Sequence, residues 1–355
     1  MTSRDHAIDA WLVIDSVAGG LAFGGTRFRA GTTEAEVREL ARCMTWKLGG
    51  HGAPTGGAKA GFSCAPDHPG LPELLELFAQ TLQMQLQTQV VLGKDLGASD
   101  FLLDTLYRHA GSPQLAAAQA QQPDAPLPDQ LRQLTGYRRH MTGLGLAFSV
   151  SETLGDSLIG CRVLVQGFGA VGAGSAARLS AQGATIVGVS DVQGSVLNPL
   201  GLPLTDLLAA SDSAGVLDPD RLGHLGVRGP TEALFGCEAD LLVVAAASHS
   251  VDGQLAGQIQ VPLVAEGANF GLTEDARAVL HQRDVVVLPD IIANSAAAAM
   301  ACRQIGSGNR LDRQSLWTAI EESIRTSTRT AMGIAEARRC TLREAWTDKL
   351  EGQTT

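Results

Sequence analysis

The feature that most constrains how this chain folds is a glycine-rich turn between an apolar run and a helix-like segment. Gly167, Gly169 and Gly172 have the spacing G-x-G-x-x-G, at the end of the run CRVLVQG. Glycines at these positions allow a tight turn and let backbone N–H groups and a helix N-terminus approach a pyrophosphate. The pattern predicts a strand–turn–helix unit that binds a dinucleotide. The alternative is that the glycines only let the strand and the helix pack closely.

An acidic residue follows this turn at the distance expected of a dinucleotide site. Asp191 lies 19 residues after Gly172, at the end of the next apolar run, ATIVGVSD. A carboxylate there can accept hydrogen bonds from the adenosine ribose and would repel a 2′-phosphate. The sequence therefore predicts NAD as the cofactor in preference to NADP, and it weakens the packing-only alternative.

Further apolar runs extend the predicted sheet. The runs LLVVAAA, VPLVAEG and DVVVLPD are separated by helical or turn-like stretches, as parallel strands with crossover helices are. The length of 355 residues favours two domains, and the Ala-, Gln- and Pro-rich residues 111–135 are predicted to be a peripheral excursion before the second. The second half therefore predicts a doubly wound α/β domain.

The first half is predicted to be a mixed α/β unit with a lysine at the end of a helix. Thr33 and Glu36 have the spacing of a capping box, and apolar residues follow at helical spacing up to Gly49–Gly50. Lys47 is thus predicted in the last turn of this helix. Only four of the 27 basic residues of the chain are lysines, so each of them needs its own explanation.

A second lysine and an aspartate are predicted in turns of this unit. Lys59 is surrounded by glycine and alanine in PTGGAKAGF, where no neighbouring charge screens it and its pKa can fall toward neutrality. Asp95 follows a predicted strand in KDLGASD, directly after Lys94. A lysine and a carboxylate on either side of a reacting carbon suffice for general acid–base catalysis. The alternative is a surface lysine and a turn aspartate.

Composition excludes several classes of protein. The formal net charge of -10 has the wrong sign for binding nucleic acid. The six cysteines are scattered without metal-ligand spacing, so we expect reduced thiols and no metal site. Neither a secretion signal nor an apolar run of membrane-spanning length is found. We expect a cytoplasmic protein whose partners are a small-molecule substrate and other copies of the chain.

Eight sequence blocks, in order, resemble the glutamate, leucine, phenylalanine and valine dehydrogenases. The blocks are GGTRF (24–28), EVRELARCMTWK (36–47), PTGGAKAG (54–61), KDLGAS (94–99), MTGLGLAF (141–148), QGFGAVG (166–172), VAEGANF (264–270) and LPDIIANS (288–295). The resemblance implies NAD(P)-dependent oxidative deamination of an L-amino acid to a 2-oxo acid and ammonia.

The same resemblance implies the architecture. We expect an N-terminal α/β substrate-binding and oligomerisation domain over residues 1–140 and a doubly wound Rossmann domain over residues 141–307. Helices over residues 308–355 are expected to return to the first domain. A homo-oligomer, at least a dimer, is implied as well.

The resemblance also assigns roles to residues. Lys47 is similar to the family lysine that holds the substrate α-carboxylate, Lys59 to the lysine that activates the attacking water, and Asp95 to the acid that moves protons to the amine. The remaining matches are Thr142 and Asn269 beside the nicotinamide, Asn294 near the substrate and the nicotinamide ribose, and Gly24 and Gly25 where the backbone closes on the substrate.

The substrate side chain is predicted to be apolar. Glutamate-specific members carry a lysine before the shared Gly-Gly, where this chain has Phe23, and a serine where counting along the chain gives Ala301. A glutamate carboxylate would be buried there without a partner, unless another residue such as Arg27 served it. We therefore expect a leucine- or valine-type pocket. The alternatives are a non-catalytic nucleotide-binding paralogue that acts through protein contacts, or an oxidoreductase of the same fold acting on another carbonyl or imine.

Overall fold

The chain divides into two units in the computed structural model, which describes residues 1–3, 7–112, 137–212, 215–307 and 313–352. The first unit is Met1–Pro123 with Gln304–Asn309, and the second is Asp124–Arg303 with Arg310–Thr355. Apart from its first two residues, the excursion predicted over 111–135 lies outside the described residues.

A five-stranded sheet organises the first unit. Its strands are β1 Thr2–Ser3, β2 Ile8–Ile14, β3 Ala22–Phe28, β4 Gly56–Phe62 and β5 Val90–Lys94, and its helices are α1 Glu34–Gly50, α2 Leu71–Thr81, α3 Gln83–Thr88 and α4 Asp100–His109. The spatial order is β1-β2-β4-β3-β5. Strand β3 runs parallel to β4 and β5, whereas β2 runs antiparallel to β4. Helix α1 ends at Gly50, as the glycine pair predicted.

The two faces of this sheet differ because successive side chains of a strand alternate between them. One face is apolar and forms a core in which Phe28 and Phe62 stack with 4.6 Å between ring centroids. The other face carries Lys59 and the glycines Gly57 and Gly61. A Cβ on Gly57 would lie 2.3 Å from a backbone nitrogen of α1, so glycine there lets the helix approach the sheet closely.

The amphipathic pattern over residues 71–86 predicts one helix, but the structure has two. Helix α2 ends at Thr81, and α3 starts at Gln83 after Leu82, whose φ of -104° and ψ of 20° are not helical. The first helix buries a full apolar face on the core, whereas α3 buries only Leu86. Periodicity alone could not locate this break, because leucines continue at helical spacing across it.

A seven-stranded sheet organises the second unit. Its strands are β6 Arg162–Gln166, β7 Thr185–Asp191, β8 Gly194–Leu197, β9 Val227–Gly229, β10 Leu241–Val244, β11 Leu263–Glu266 and β12 Val286–Leu288. The spatial order is β12-β11-β10-β6-β7-β8-β9. The first five strands in this order are parallel to one another. The chain turns to opposite sides of β6, which makes the carboxyl ends of β6 and β10 the topological switch point. The predicted doubly wound sheet is confirmed.

Ten helices and a short 3₁₀ turn, Thr231–Leu234, are described in this unit. They are α5 Tyr137–Leu154, α6 Ala170–Ala181, α7 Leu204–Ala210, α8 Pro219–Leu222, α9 Gly253–Ala256, α10 Glu274–Gln282, α11 Asp290–Ala293, α12 Ala296–Ser307, α13 Arg313–Arg338 and α14 Leu342–Glu351.

The C-terminal helices belong to the second unit, whereas we expected helices over residues 308–355 to pack on the first domain. The apolar stripe of α13, which includes Trp317 and Ile324, is buried against α5 and α12. Trp317 packs edge-on against Phe148 of α5, with 5.8 Å between ring centroids. An amphipathic helix shows that it has a partner, but not which one, and here the partner is the neighbouring helix pair.

All six cysteines are free thiols. Cys43, Cys64 and Cys302 are buried, and Cys161, Cys237 and Cys340 are half-buried. Burial raises the pKa of Cys302 to about 12 and that of Cys161 to about 11, so both remain protonated near neutral pH.

Candidate active site

The polar face of the first sheet brings Lys59 and Asp95 into contact. Lys59 lies on strand β4 and not in a turn as predicted, because the glycines of this segment let α1 pack closely on the sheet. Its Nζ is 2.7 Å from Oδ2 of Asp95, which follows β5. The same oxygen accepts a hydrogen bond from Nε of Arg27 on β3, at 2.8 Å. Because β3 lies between β4 and β5, the sheet order brings residues that are far apart in sequence to one place. The lysine and the aspartate that the sequence singles out are therefore in direct contact.

The charges of this cluster shift both ionisations. Burial lowers the pKa of Lys59; the Asp95 carboxylate opposes this, and the positive charges of Arg27 and Lys47 lower it further. Burial acts to raise the pKa of Asp95, but the two cations, Lys59 and Arg27, outweigh it and hold that pKa well below its usual range. An amine with a depressed pKa beside an ionised carboxylate is suited to accept a proton from water.

Lys47 and Gly25 complete this face, and Gly24 lies against the neighbouring strand. Lys47 lies in the last turn of α1 and is 3% exposed. A Cβ on Gly25 would lie 2.9 Å from Asp95 Cβ and 3.2 Å from Lys59 Nζ, so a larger residue would disturb the pair. A Cβ on Gly24 would lie 1.6 Å from the carbonyl oxygen of Ala58 on the next strand, which excludes any side chain there.

Phe23 lies on the same face of β3 as Gly25, because residues two apart in a strand share a face. Its ring covers Gly93 of β5: a Cβ on Gly93 would lie 3.7 Å from Phe23 Cζ. The ring is half-buried. Lys94 turns away from Asp95 and pairs with Asp100, at 2.9 Å.

The glycine-rich turn of the second unit has the geometry that a pyrophosphate needs. Gly167 has a φ of +83°, and a Cβ there would lie 2.7 Å from the backbone of Ala246. Gly169 caps the N-terminus of α6 without a side-chain hydrogen bond. A Cβ on Gly172 would lie 1.9 Å from the Gly167 carbonyl oxygen. These features fit a dinucleotide at the helix N-terminus.

Asp191 lies at the end of β7, as predicted, and its carboxylate is already hydrogen-bonded. The backbone N–H of Gln193 donates to Oδ1 at 2.7 Å, and that of Leu217 donates to Oδ2 at 2.6 Å. Gly215 lies against the glycine-rich turn, since a Cβ on it would be 2.4 Å from Gly169 Cα. Each carboxylate oxygen retains a lone pair for a ribose hydroxyl.

Of the residues predicted beside the nicotinamide, Asn269 lies on the loop after β11 and Thr142 on helix α5. The Asn294 side chain donates from Nδ2 to the carbonyl oxygen of Gly267, which fixes the loop that holds Asn269. Thr142 lies on α5 next to Gly143, where a Cβ would be 2.1 Å from the Val171 carbonyl oxygen in the first turn of α6. These residues thus lie near the carboxyl ends of the parallel strands.

Buried ion pairs that were not predicted from the sequence hold this loop. Glu266 accepts hydrogen bonds from Leu272 N, at 3.0 Å, and from Arg277, at 2.9 Å. Asp290 accepts from Phe270 N at 2.9 Å and from Arg343 of α14 at 2.5 Å.

Both carboxylates are fully buried, and burial, followed by the charge of Asp290, raises the pKa of Glu266. Both acids lie at the ends of predicted strands, but their arginine partners lie 11 and 53 residues further along the chain, beyond the reach of a local pattern.

The remaining predicted residue, Ala301, is buried on α12, which belongs to the second unit, whereas Phe23 belongs to the first. No cluster of three or more His, Cys, Asp or Glu that could hold a metal ion occurs among the residues that the structure describes. Within the same described ranges, no helix has the length and apolar character needed to cross a membrane.

Two family models match the chain. One, described as Glutamate/Leucine/Phenylalanine/Valine dehydrogenase, matches residues 135–347, and the other, described as Glu/Leu/Phe/Val dehydrogenase, dimerisation domain, matches residues 2–106.

Similar proteins are also found among curated sequences and solved structures. An NADP-specific glutamate dehydrogenase of Saccharolobus shibatae is 32% identical over 77% of this chain and 64% of its own length. Glutamate dehydrogenase A2 of Halobacterium salinarum is 30% identical over 82% of this chain and 70% of its own length. The crystal structure of a hetero-hexameric glutamate dehydrogenase from Thermus thermophilus, in a leucine-bound form, superposes with a TM-score of 0.79 at 28% identity and covers 97% of this chain and 83% of that one. The chain therefore belongs to the glutamate/leucine/phenylalanine/valine dehydrogenase family.

Proposed function

We propose that this chain catalyses the reversible, NAD-dependent oxidative deamination of an apolar L-amino acid to a 2-oxo acid and ammonia. The observation that carries the proposal is the contact between Lys59 and Asp95 on a buried face that also holds Lys47. A non-catalytic nucleotide-binding protein would have no need to bury two lysines next to each other, because burial of like charges is costly.

The roles of these residues follow from their chemistry. Lys47 would hold the substrate α-carboxylate. The nicotinamide, when bound, supplies a hydride acceptor for the substrate Cα. Lys59, as a neutral amine, would take the proton of the water that adds to the resulting imine carbon. Asp95 would then carry protons between Lys59 and the departing nitrogen, which leaves as ammonia.

An apolar substrate is supported by Phe23 and Ala301, since neither side chain can pair with a γ-carboxylate. The relatives reported above are named glutamate dehydrogenases, so glutamate is the competing substrate. An unpaired, buried carboxylate would cost at least about 10³ in kcat/KM.

NAD is supported by Asp191, whose carboxylate would repel a 2′-phosphate. The relative from Saccharolobus shibatae is named NADP-specific, which makes NADP the competing cofactor. We further propose a homo-oligomer, at least a dimer, formed through the first unit. The six free thiols support a location in the cytoplasm.

The test is a panel of L-amino acids with NAD and with NADP, followed by the absorbance of the reduced cofactor. We expect an aliphatic amino acid with NAD to give the highest kcat/KM. The matched variant is Phe23→Lys combined with Ala301→Ser, which should raise the ratio of glutamate to leucine activity by restoring an ammonium and a hydroxyl. Glutamate as the best substrate of the unaltered protein would refute the proposed specificity.

A further inference from the structure

We propose that Arg27 is a positioning residue for this reaction, which fixes the Asp95 carboxylate against Lys59 and supplies a positive charge that favours the neutral amine. The inference rests on the proposed function, because it assigns Lys59 the role of base. Arg27 need not contact the substrate for this role, because it acts through Asp95 and Lys59.

The first observation is the geometry of the guanidinium. Arg27 donates from Nε to Asp95 Oδ2, at 2.8 Å, and from Nη1 to Glu36 Oε1, at 2.6 Å. Its side chain is only 6% exposed. A planar fork that is held at two points can orient the carboxylate it contacts, whereas a single ammonium cannot reach both acids.

The second observation is that the Glu36 side chain binds Arg27 and does not make the predicted capping-box contact with Thr33. As predicted, Thr33 caps α1 by accepting a hydrogen bond from the backbone N–H of Glu36, at 3.2 Å. The Glu36 carboxylate, however, accepts from Arg27 and from Arg29, both at 2.6 Å, in place of the capping-box contact with the Thr33 backbone. Helix α1 is thereby tied to the Lys59–Asp95 pair through Arg27.

The third observation is the set of charges around Lys59. Asp95 faces it from the end of β5, Arg27 from β3 and Lys47 from α1, while β2 places Val13 opposite it. Removing the charge of Arg27 would act twice in the same direction. One cation near Lys59 is lost, and Asp95 becomes free to pair with Lys59 alone, so both changes raise the pKa of the amine.

The experiment compares Arg27→Gln, Arg27→Lys and the control Arg38→Met, which removes an exposed arginine that pairs with Glu34 on α1. The four lysines are labelled with ¹³C at Cε, and each resonance is assigned by a Lys→Arg variant. The titration midpoint of Lys59 is read directly, with Lys94 and Lys349 as references, and the pH profile of kcat/KM is measured in parallel.

We expect Arg27→Gln to raise the titration midpoint of Lys59 by at least about one pH unit, and to shift the limb of the kcat/KM profile that this ionisation sets by the same amount. At a pH below that limb, the shift is a tenfold loss of activity. Arg27→Lys retains the charge, so the midpoint should stay near that of the unaltered protein while kcat falls, because the fork is lost. Arg38→Met should change neither.

The two readouts separate the two proposals. If no amino acid is oxidised, the proposed function fails, yet the Lys59 titration still decides whether Arg27 controls the amine. An unmoved midpoint in Arg27→Gln would overturn the inference, as would a midpoint that moves without the limb. Full kcat in Arg27→Lys would overturn the positioning role, and this variant preserves a charge in the core if Arg27→Gln does not fold.

Discussion

At the scale of single residues, the Lys59–Asp95 pair is expected to be required for turnover but not for cofactor binding. Lys59→Ala removes the base, and Asp95→Asn removes the carboxylate that carries protons between Lys59 and the departing nitrogen. Each should lower kcat by at least about 10²-fold, the usual contribution of a positioned acid or base. NAD affinity, measured by calorimetry, should persist because the glycine-rich turn belongs to the other unit. Near-normal turnover in both variants would refute their assignment.

Lys94 provides the matched control for this prediction. Lys94 directly precedes Asp95 in the sequence, where a cation could lower the pKa of the carboxyl or act as a substitute proton donor. In the structure it pairs with Asp100 in a largely exposed ion pair, and the cations that act on Asp95 are Lys59 and Arg27. Lys94→Ala should therefore leave the pH–rate profile unchanged.

The sequence could predict part of this site and not the rest, for a physical reason. Lys59 and Asp95 stand in recognisable blocks, so both were expected at the site, on either side of a reacting carbon; their direct contact was not predicted. Arg27 is also in such a block, but its contact with Asp95 depends on the parallel register of β3 with β5, in which Thr26 lies opposite Lys94. Register between strands that are distant in sequence is set by the packed sheet and not by local pattern.

At the scale of secondary-structure elements, the last helix is coupled to the loop that carries Asn269. Arg343 of α14 pairs with Asp290, whose side chain is fully buried, and its guanidinium lies 5.3 Å from the ring centroid of Phe270. Phe270 has a φ of +51°, a conformation that costs energy for a residue with a side chain. The ion pair and the ring contact hold the loop in this conformation.

Arg343→Met should therefore lower the free energy of unfolding by about 3–5 kcal/mol, because it leaves a buried carboxylate without its cation. The matched control is Arg338→Met, which breaks an exposed pair with Asp348 and should cost at most about 1 kcal/mol. Urea denaturation of both variants measures the difference. Equal costs would show that Asp290 does not depend on Arg343.

The helices illustrate how far local pattern reaches. The glycine pair correctly predicted the end of α1, and the turn spacing predicted α6. The placement of the C-terminal helices came from the family resemblance and not from local pattern, because the stripe of α13 fits any apolar surface of the right shape. Only the tertiary packing of Trp317 and Ile324 against α5 and α12 decides the partner.

At the scale of the whole molecule, the first unit exposes apolar side chains that a second copy could cover. Phe101 on α4 is 76% exposed, whereas the apolar core of this unit lies on the inner side of the helix. Large exposed apolar side chains in the unit that matches a dimerisation domain favour self-association there.

We expect light scattering to give at least a dimer, and Phe101→Glu to shift the population toward monomer. The matched control is Ile159→Glu in the second unit, where an apolar side chain is 84% exposed. It should leave the mass unchanged. A monomer in the unaltered protein would refute the proposed assembly, and equal effects of both variants would refute its location.

Each unit contains a buried cysteine whose rate of reaction with a thiol reagent reports how often that unit opens. Thiol reagents attack the thiolate, so a protonated, buried thiol reacts only in the moments when its surroundings open. Cys64 lies in the core of the first unit and Cys302 in that of the second, and burial raises the pKa of both. Timed alkylation followed by mass spectrometry would thus measure how often each unit opens. It would also show whether a bound dinucleotide slows the opening of only the unit that binds it or of both units.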